Sequence, residues 1–289
     1  MTCRLSFDDG ELRRGAMGAT HLDQALEAMR RDGFVVLEQV VDHEPLDILK
    51  QRMDRDSREL LAFCETIGGN PRETGHLQQG PPPFAPYVFS QIVVHPFVTQ
   101  LSHAVLGPYA FNNFYNGNTN APGSGFQQVH LDNPHVPAGT SIAHTTYSFV
   151  VNIVPQDSDE SNGAVELWPG THRVLTPTPV PDVLVESRRG EVPPIQGCVR
   201  KGDLLLRDTR LWHRGIHNPS NEFRHMIALV HQAGWSPRRT PLKYGRGCEH
   251  AFEDTSFDSN AEFTDVPIDY LLGPTKRVYR RRRETRPGP

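Results

Sequence analysis

After Gly107-Pro108 the sequence breaks into short β-type runs separated by turn residues: "YAFNNFYNG", "GFQQVHLD", "TTYSFVVNIV", "GAVELW", "CVRKGDLLLRD" and "HMIALVHQAGW". Short strands spaced in this way predict a sandwich or a barrel. No internal repeat and no clear linker interrupts them. The expected fold class is therefore mainly β with flanking helices, arranged as one domain. A length of 289 residues allows this, because all-β domains often reach that size undivided.

Upstream, the pattern changes to a helical one. Leu22, Ala25, Leu26 and Met29 fall at i, i+3, i+4 and i+7, which predicts a helix over about 20–31. Gly33 ends it, and the Val-rich "DGFVVLEQVV" reads as a buried strand. A second helix is expected from near Pro45 to Phe63, with Leu46, Leu49 and Met53 on one face. A third is expected over 96–106, opening at Pro96. Between them, "GGNPRETGHLQQGPPPFAP" reads as a long Gly/Pro/Gln loop and a candidate lid. Its "QQGPPP" fits a substrate gate or a plain surface loop equally well. The expected division is a helical part at about 20–106, a β core at about 107–236 and a C-terminal extension at 237–289. The N-terminal helices should pack on the outer face of a sheet.

Composition excludes several functions. The net charge is −4, which gives no general attraction to nucleic acid. The one basic run, "KRVYRRRRETR", is expected to be a solvated, partly disordered end. No run approaches the ~20 apolar residues of a membrane span, and the first residues lack the apolar stretch of a secretory signal. Cys3, Cys64, Cys198 and Cys248 are far apart and form no Cys-x-x-Cys pair, which argues against disulfides or a thiolate zinc site. The expected location is cytoplasmic, with a small molecule as partner and a monomer or homodimer as the assembly.

The stretch "QQVHLDNPH" carries the chemistry. Alternate side chains of a strand share a face, so His130 and Asp132 project together while Leu131 turns away. Asn133-Pro134 then breaks the strand and leaves His135 outside the pair. By itself His-x-Asp also fits a hydrogen-bonded pair at a strand end. A catalytic iron site needs one more histidine, and the best source is "RDTRLWHRGIHNPSNEFRHMIALVH" with His213, His217, His225 and His231. His213 follows a strand-like run, and Arg224 opens the next strand 11 residues later. Two imidazoles and a carboxylate can bind one face of Fe(II) and leave the other open for a bidentate cosubstrate and O2. An arginine can grip the far carboxylate of a 2-oxo acid in a bidentate, charge-assisted pair.

With those elements, the sequence resembles the phytanoyl-CoA dioxygenase family of Fe(II)/2-oxoglutarate oxygenases. The matching segments are "DGFVVLEQVV", "QQVHLD", "NGAVELWPGTHR" and "KGDLLLRDTRLWHRGIHNPSNEFR". Threonine stands in "PGTH" where the family more often has serine. The resemblance implies a double-stranded β-helix, the cupin-like jelly roll. It maps the metal ligands onto His130, Asp132 and His213, and the 2-oxoglutarate clamp onto Arg224. Gln127 is similar to a glutamine that helps bind 2-oxoglutarate in several natural-product members. His217 would lie behind the ligands or be unrelated, and His172 would be a structural turn element. Trp168 and Trp212 are expected to be buried packing.

The implied activity is oxidation of a C–H bond, most simply hydroxylation, with 2-oxoglutarate converted to succinate and CO2. The stretches "GHLQQGPPP" and "NGNTNAPGS…QQVHLDNPH" look similar to antibiotic-tailoring members, which points to a secondary metabolite as substrate. Other readings are a non-catalytic cupin-like binding or sensor protein, a phytanoyl-CoA-like acyl-CoA hydroxylase, and a cupin isomerase or oxygenase independent of 2-oxoglutarate.

Overall fold

The structure is a computed structural model that describes residues 3–70, 75–133, 145–253 and 255–285. The chain runs through β1 (Arg4–Leu5), α1 (Asp9–Arg14), α2 (Ala19–Arg31), β2 (Phe34–Leu37), α3 (His43–Thr66), β3 (His76–Gln78), α4 (Ser90–Val93) and α5 (Pro96–Leu106). It continues with β4 (Phe111–Asn120), β5 (Ser148–Ile153), β6 (Glu166–Leu167), α6 (Asp182–Glu191), β7 (Ile195–Gln196), β8 (Leu204–Asp208), β9 (His213–Arg214) and β10 (Arg224–Gln232). The last elements are β11 (Leu242–Gly245), β12 (Ala261–Thr264) and α7 (Leu272–Thr285). Among the described residues, no helix is long and apolar enough to cross a membrane.

Seven strands form the main sheet in the order β1-β2-β8-β5-β10-β4-β3. All its pairs are antiparallel except β1 with β2. A smaller sheet, β7-β6-β9, covers part of it. Strand β5 reads as an unbroken buried run because both of its faces are covered. Phe149, Val151 and Ile153 join Leu204, Leu206, Ile227 and Leu229 on the outer face, against Met29, Leu46, Leu49, Met53 and Leu101 of α2, α3 and α5. The alternate residues turn inward. There Leu205 and Met226 pack with Val165 and Leu167 beneath the smaller sheet, and Val150, Asn152, Arg207 and Ala228 line a cavity.

The helices form where the apolar stripes place them, and α3 extends from His43 to Thr66, a few residues past each expected end. Three local expectations need correction. "GFQQVHLD" forms no ladder strand; it follows β9 through an isolated bridge between His130 and His213. β9 is two residues long and already pairs with β6, so it has few free backbone groups to offer. The supposed lid also belongs to the body of the fold. His76–Gln78 is the edge strand β3, and Gln79, Gly80 and the three prolines after it are buried. Gln79 donates to Met53 O and accepts from Ser57 Oγ and Thr119 Oγ1, which ties β3 to α3 and β4. The basic C-terminal run is helical rather than partly disordered, up to Thr285. Leu271 packs on Leu60, Cys64 and Leu77 at its start, and Lys276 lies over the Phe63 ring. Lysine and arginine are good helix formers once an end is anchored.

Candidate metal centre

His213 opens β9, and His130 lies opposite it, each donating its backbone N–H to the other's carbonyl at 3.0 Å. Asp132 N–H donates to Thr209 O at 2.8 Å, which holds the carboxylate on the same side as His130. The ligand atoms of His130, Asp132 and His213 all lie within 4.8 Å of one another, and no other such group occurs among the described residues. Backbone carbonyls fix both rings. His130 Nδ1 donates to Gln128 O at 2.8 Å and His213 Nδ1 to Leu211 O at 2.9 Å, so each Nε2 presents a lone pair to the shared point.

The two oxygens of Asp132 have different neighbours. Oδ1 is 3.5 Å from His213 Nε2, whereas Oδ2 is 2.8 Å from Arg207 Nη1. Arg207 projects inward from β8 and also donates through Nε to Asn152 Oδ1 at 3.1 Å. Burial alone raises the Asp132 carboxyl, but Arg207 beside it, with His213 and His130, holds it well below the usual carboxylate range. Burial, helped by the nearby His213, pushes His130 down to about 4. That histidine is therefore neutral at physiological pH, the state a metal requires. The donor set of two imidazoles and one carboxylate on one side of an open pocket fits a first-row divalent ion such as Fe(II).

The pocket has a volume of about 540 Å³. Arg224 lies in its wall, 2% exposed, and its Nε and Nη1 have no hydrogen-bond partner among the described residues. Burial lowers its guanidinium to about 10, so it stays charged at neutral pH. An unpaired buried cation is costly, and an anionic ligand would relieve that cost. Sheet register explains what surrounds it. Asn120 of β4 pairs with Arg224 on one side and His76 of β3 on the other, so the three share the inner face. His76 Nε2 donates to Gly125 O at 2.7 Å and its buried Nδ1 has no partner. Gln127 accepts the Gly215 N–H on Oε1 at 2.8 Å, which fixes its amide and leaves Nε2 as a free donor at the wall. A Cβ at Gly215 would collide with the His76 ring, so glycine is required for this approach.

Other histidines are elsewhere. His172 is buried near Gly33, with Nε2 3.3 Å from Arg30 O, as a turn element would be. His217 donates to Ser124 O, His225 pairs with Asp54 on the outer face, and His231 contacts Ser102 there. His135 lies outside the described residues. Trp168 and Trp212 are buried against each other, with ring centroids 6.2 Å apart, and do not line the pocket. Sequence reasoning missed Arg207, His76, Gln78, Asn118 and Asn152, all of which line the pocket. The signal for Arg207 was available: a charge inside the apolar run "GDLLLRD" needs a partner.

Comparison with known proteins identifies the family and the fold. The family model described as phytanoyl-CoA dioxygenase (PhyH) matches residues 29–226. Among solved structures, AviO1 from Streptomyces viridochromogenes Tue57 is similar at 20% identity and a TM-score of 0.54, over 76% of this chain and 99% of that one. EvdMO1 matches at 18% identity and a TM-score of 0.53, over 73% of this chain and 50% of its own. SnoN, a non-heme alpha-ketoglutarate-dependent epimerase from nogalamycin biosynthesis, matches at 18% identity and a TM-score of 0.52, over 75% of this chain and 82% of its own. At these identities the likeness is one of fold.

Proposed function

The chain belongs to the phytanoyl-CoA dioxygenase family, and from that premise we propose that it hydroxylates a C–H bond of a small secondary metabolite. Membership and the His-Asp-His triad make it a non-haem Fe(II)/2-oxoglutarate-dependent oxygenase with the double-stranded β-helix fold. The observation that carries the proposal further is the buried, unpartnered Arg224 guanidinium in the same pocket as the triad.

His130, Asp132 and His213 would hold the ferrous ion. When bound, Fe(II) with 2-oxoglutarate supplies the oxidising power from O2, with release of succinate and CO2. Arg224 would hold the distal carboxylate of 2-oxoglutarate through its guanidinium, and Gln127 Nε2 would donate to the same molecule. Val150, Met226 and Val230 give the pocket apolar walls that limit water. Asp132 occupies the position that halogenating relatives vacate for chloride, which favours oxygen insertion. Several amides line the pocket, including Asn113, Asn118, Asn152 and Gln232, where a branched fatty-acyl chain would prefer apolar walls.

The solved neighbours support the natural-product branch, since one of them is described as a nogalamycin-biosynthesis enzyme. Four unpaired cysteines are consistent with action in the cytoplasm.

Anaerobic titration tests the proposal. Addition of 2-oxoglutarate to the Fe(II)-loaded protein should produce a visible charge-transfer band. Asp132→Ala should lose both the band and substrate-dependent succinate. Full turnover by that variant would refute the assignment.

A further inference from the structure

Asp132 is the only carboxylate among the described residues that line the pocket, and three arginines, Arg207, Arg224 and Arg239, line it as well. Of the sequence next to pocket residues that lies outside the described residues, 134–144 contains neither Asp nor Glu, and 71–74 contains one Arg and one Glu, whose charges cancel. A ferrous ion and 2-oxoglutarate carry equal and opposite charges, so loading the site leaves this balance unchanged. The loaded pocket is therefore cationic, and a cationic pocket repels amines and attracts oxyanions.

Strand β10 shows where such a group would sit. Arg224, Met226, Ala228, Val230 and Gln232 line the pocket in steps of two residues. At about 3.3 Å per residue the Arg224 and Gln232 ends are roughly 25 Å apart. The functional reading above gives the Arg224 end to 2-oxoglutarate, and the inference rests on it. The opposite end is built from Gln232, from Asn113 and Phe114 of β4, and from Arg239.

At that end each amide oxygen already accepts one hydrogen bond. Asn113 Nδ2 donates to Gln232 Oε1 at 2.7 Å, and Asn113 Oδ1 accepts the Arg239 backbone N–H at 3.0 Å. The acceptor oxygens of both amides are thus engaged. Gln232, 8% exposed, has no partner for its Nε2 among the described residues and lines the pocket wall. The Arg239 guanidinium is exposed at the mouth and has no ion-pair or hydrogen-bond partner among the described residues. A buried amide donor and an unpaired guanidinium lining the same end, linked through Asn113, suit the oxygens of one anionic group.

We infer that the metabolite taken by this pocket carries an oxyanion, a carboxylate or a phosphate, docked between Gln232 and Arg239, and that amine-rich compounds are rejected. The Fe(II)-loaded protein with saturating 2-oxoglutarate would be dialysed anaerobically to equilibrium against radiolabelled glucuronate, glucose 6-phosphate, glucose and glucosamine at millimolar concentrations. One or both anions should be retained roughly tenfold more strongly than glucose, and glucosamine least. The stronger of the two anions identifies the oxyanion. Arg239→Ala should weaken that retention about tenfold and Arg239→Glu should abolish it, because neither change removes the backbone bond to Asn113. Glucosamine retained as well as the anions, no retention of any sugar, or anion retention unchanged in Arg239→Glu would each overturn the inference. The charge-transfer band is read in the same samples. Its absence would sink the oxygenase assignment, while the ranking of the sugars would still report the charge preference of the pocket.

Discussion

Arg224 and Arg207 are both inward-facing arginines of the main sheet, and their surroundings give them different roles. Arg207 is satisfied by Asp132 and Asn152, so it belongs to the scaffold of the metal centre. Arg224 is left with two nitrogens unpaired, so its partner must come from solution. This contrast yields a test with two opposed readouts. Arg224→Met removes an uncompensated buried cation, so the ligand-free protein should melt no lower than wild type and gain about 1 kcal/mol or more. The 2-oxoglutarate concentration needed for half-maximal succinate formation should rise at least about tenfold. A lower melting temperature with unchanged 2-oxoglutarate dependence would mean that Arg224 is structural.

Among the elements, β3 is the one whose position was least expected. It has three residues, sits at the sheet edge and supplies His76 and Gln78 to the pocket. Its place depends on the Gln79 side chain, which meets Met53, Ser57 and Thr119 at once. Gln79→Ala should cost about 1–3 kcal/mol in denaturant unfolding, because buried groups lose their partners. It should also raise the 2-oxoglutarate requirement while Fe(II) affinity stays near wild type, since the triad lies on other segments. An unchanged requirement would show that β3 holds its position without this tether. The helices were legible from their apolar stripes, as Leu46, Leu49 and Met53 of α3 demonstrate by complete burial. β3 was not legible, because a strand of three residues carries no period and pairing to β4 is a non-local event.

For the molecule as a whole, the helices and the outer sheet face bury histidines that should limit its acid stability. Burial pushes His95 down to about 4 and His231 down to about 3. Both are neutral in the folded state, whereas the unfolded chain takes up their protons near pH 6.5. The unfolded state therefore binds more protons at acid pH. The stabilisation is fully present above about pH 6.5 and is lost progressively as the pH falls toward 4 and 3. For His95 alone the loss could reach about 3 kcal/mol. His95→Gln keeps a donor for Val40 O, which His95 Nε2 now reaches at 2.8 Å, and removes the titration. Its melting temperature should fall less steeply between pH 6.5 and 4.5 than that of wild type, and parallel profiles would contradict the assignment.

The sequence by itself determined the local features: the helix stripes, the β texture after Pro108, the His130-x-Asp132 pair, and the 11-residue interval from His213 to Arg224. Each depends on spacing within one or two neighbouring segments, which backbone geometry converts directly into a shared face. Tertiary structure decided that Arg207 meets Asp132, that His76 and Arg224 flank Asn120 on one face, and that Gln232 and Arg239 line the far end. Those contacts join segments far apart in the chain, and they exist only because strand order and register place β8, β3 and β10 around one cavity. Periodicity within a segment carries no information about that order.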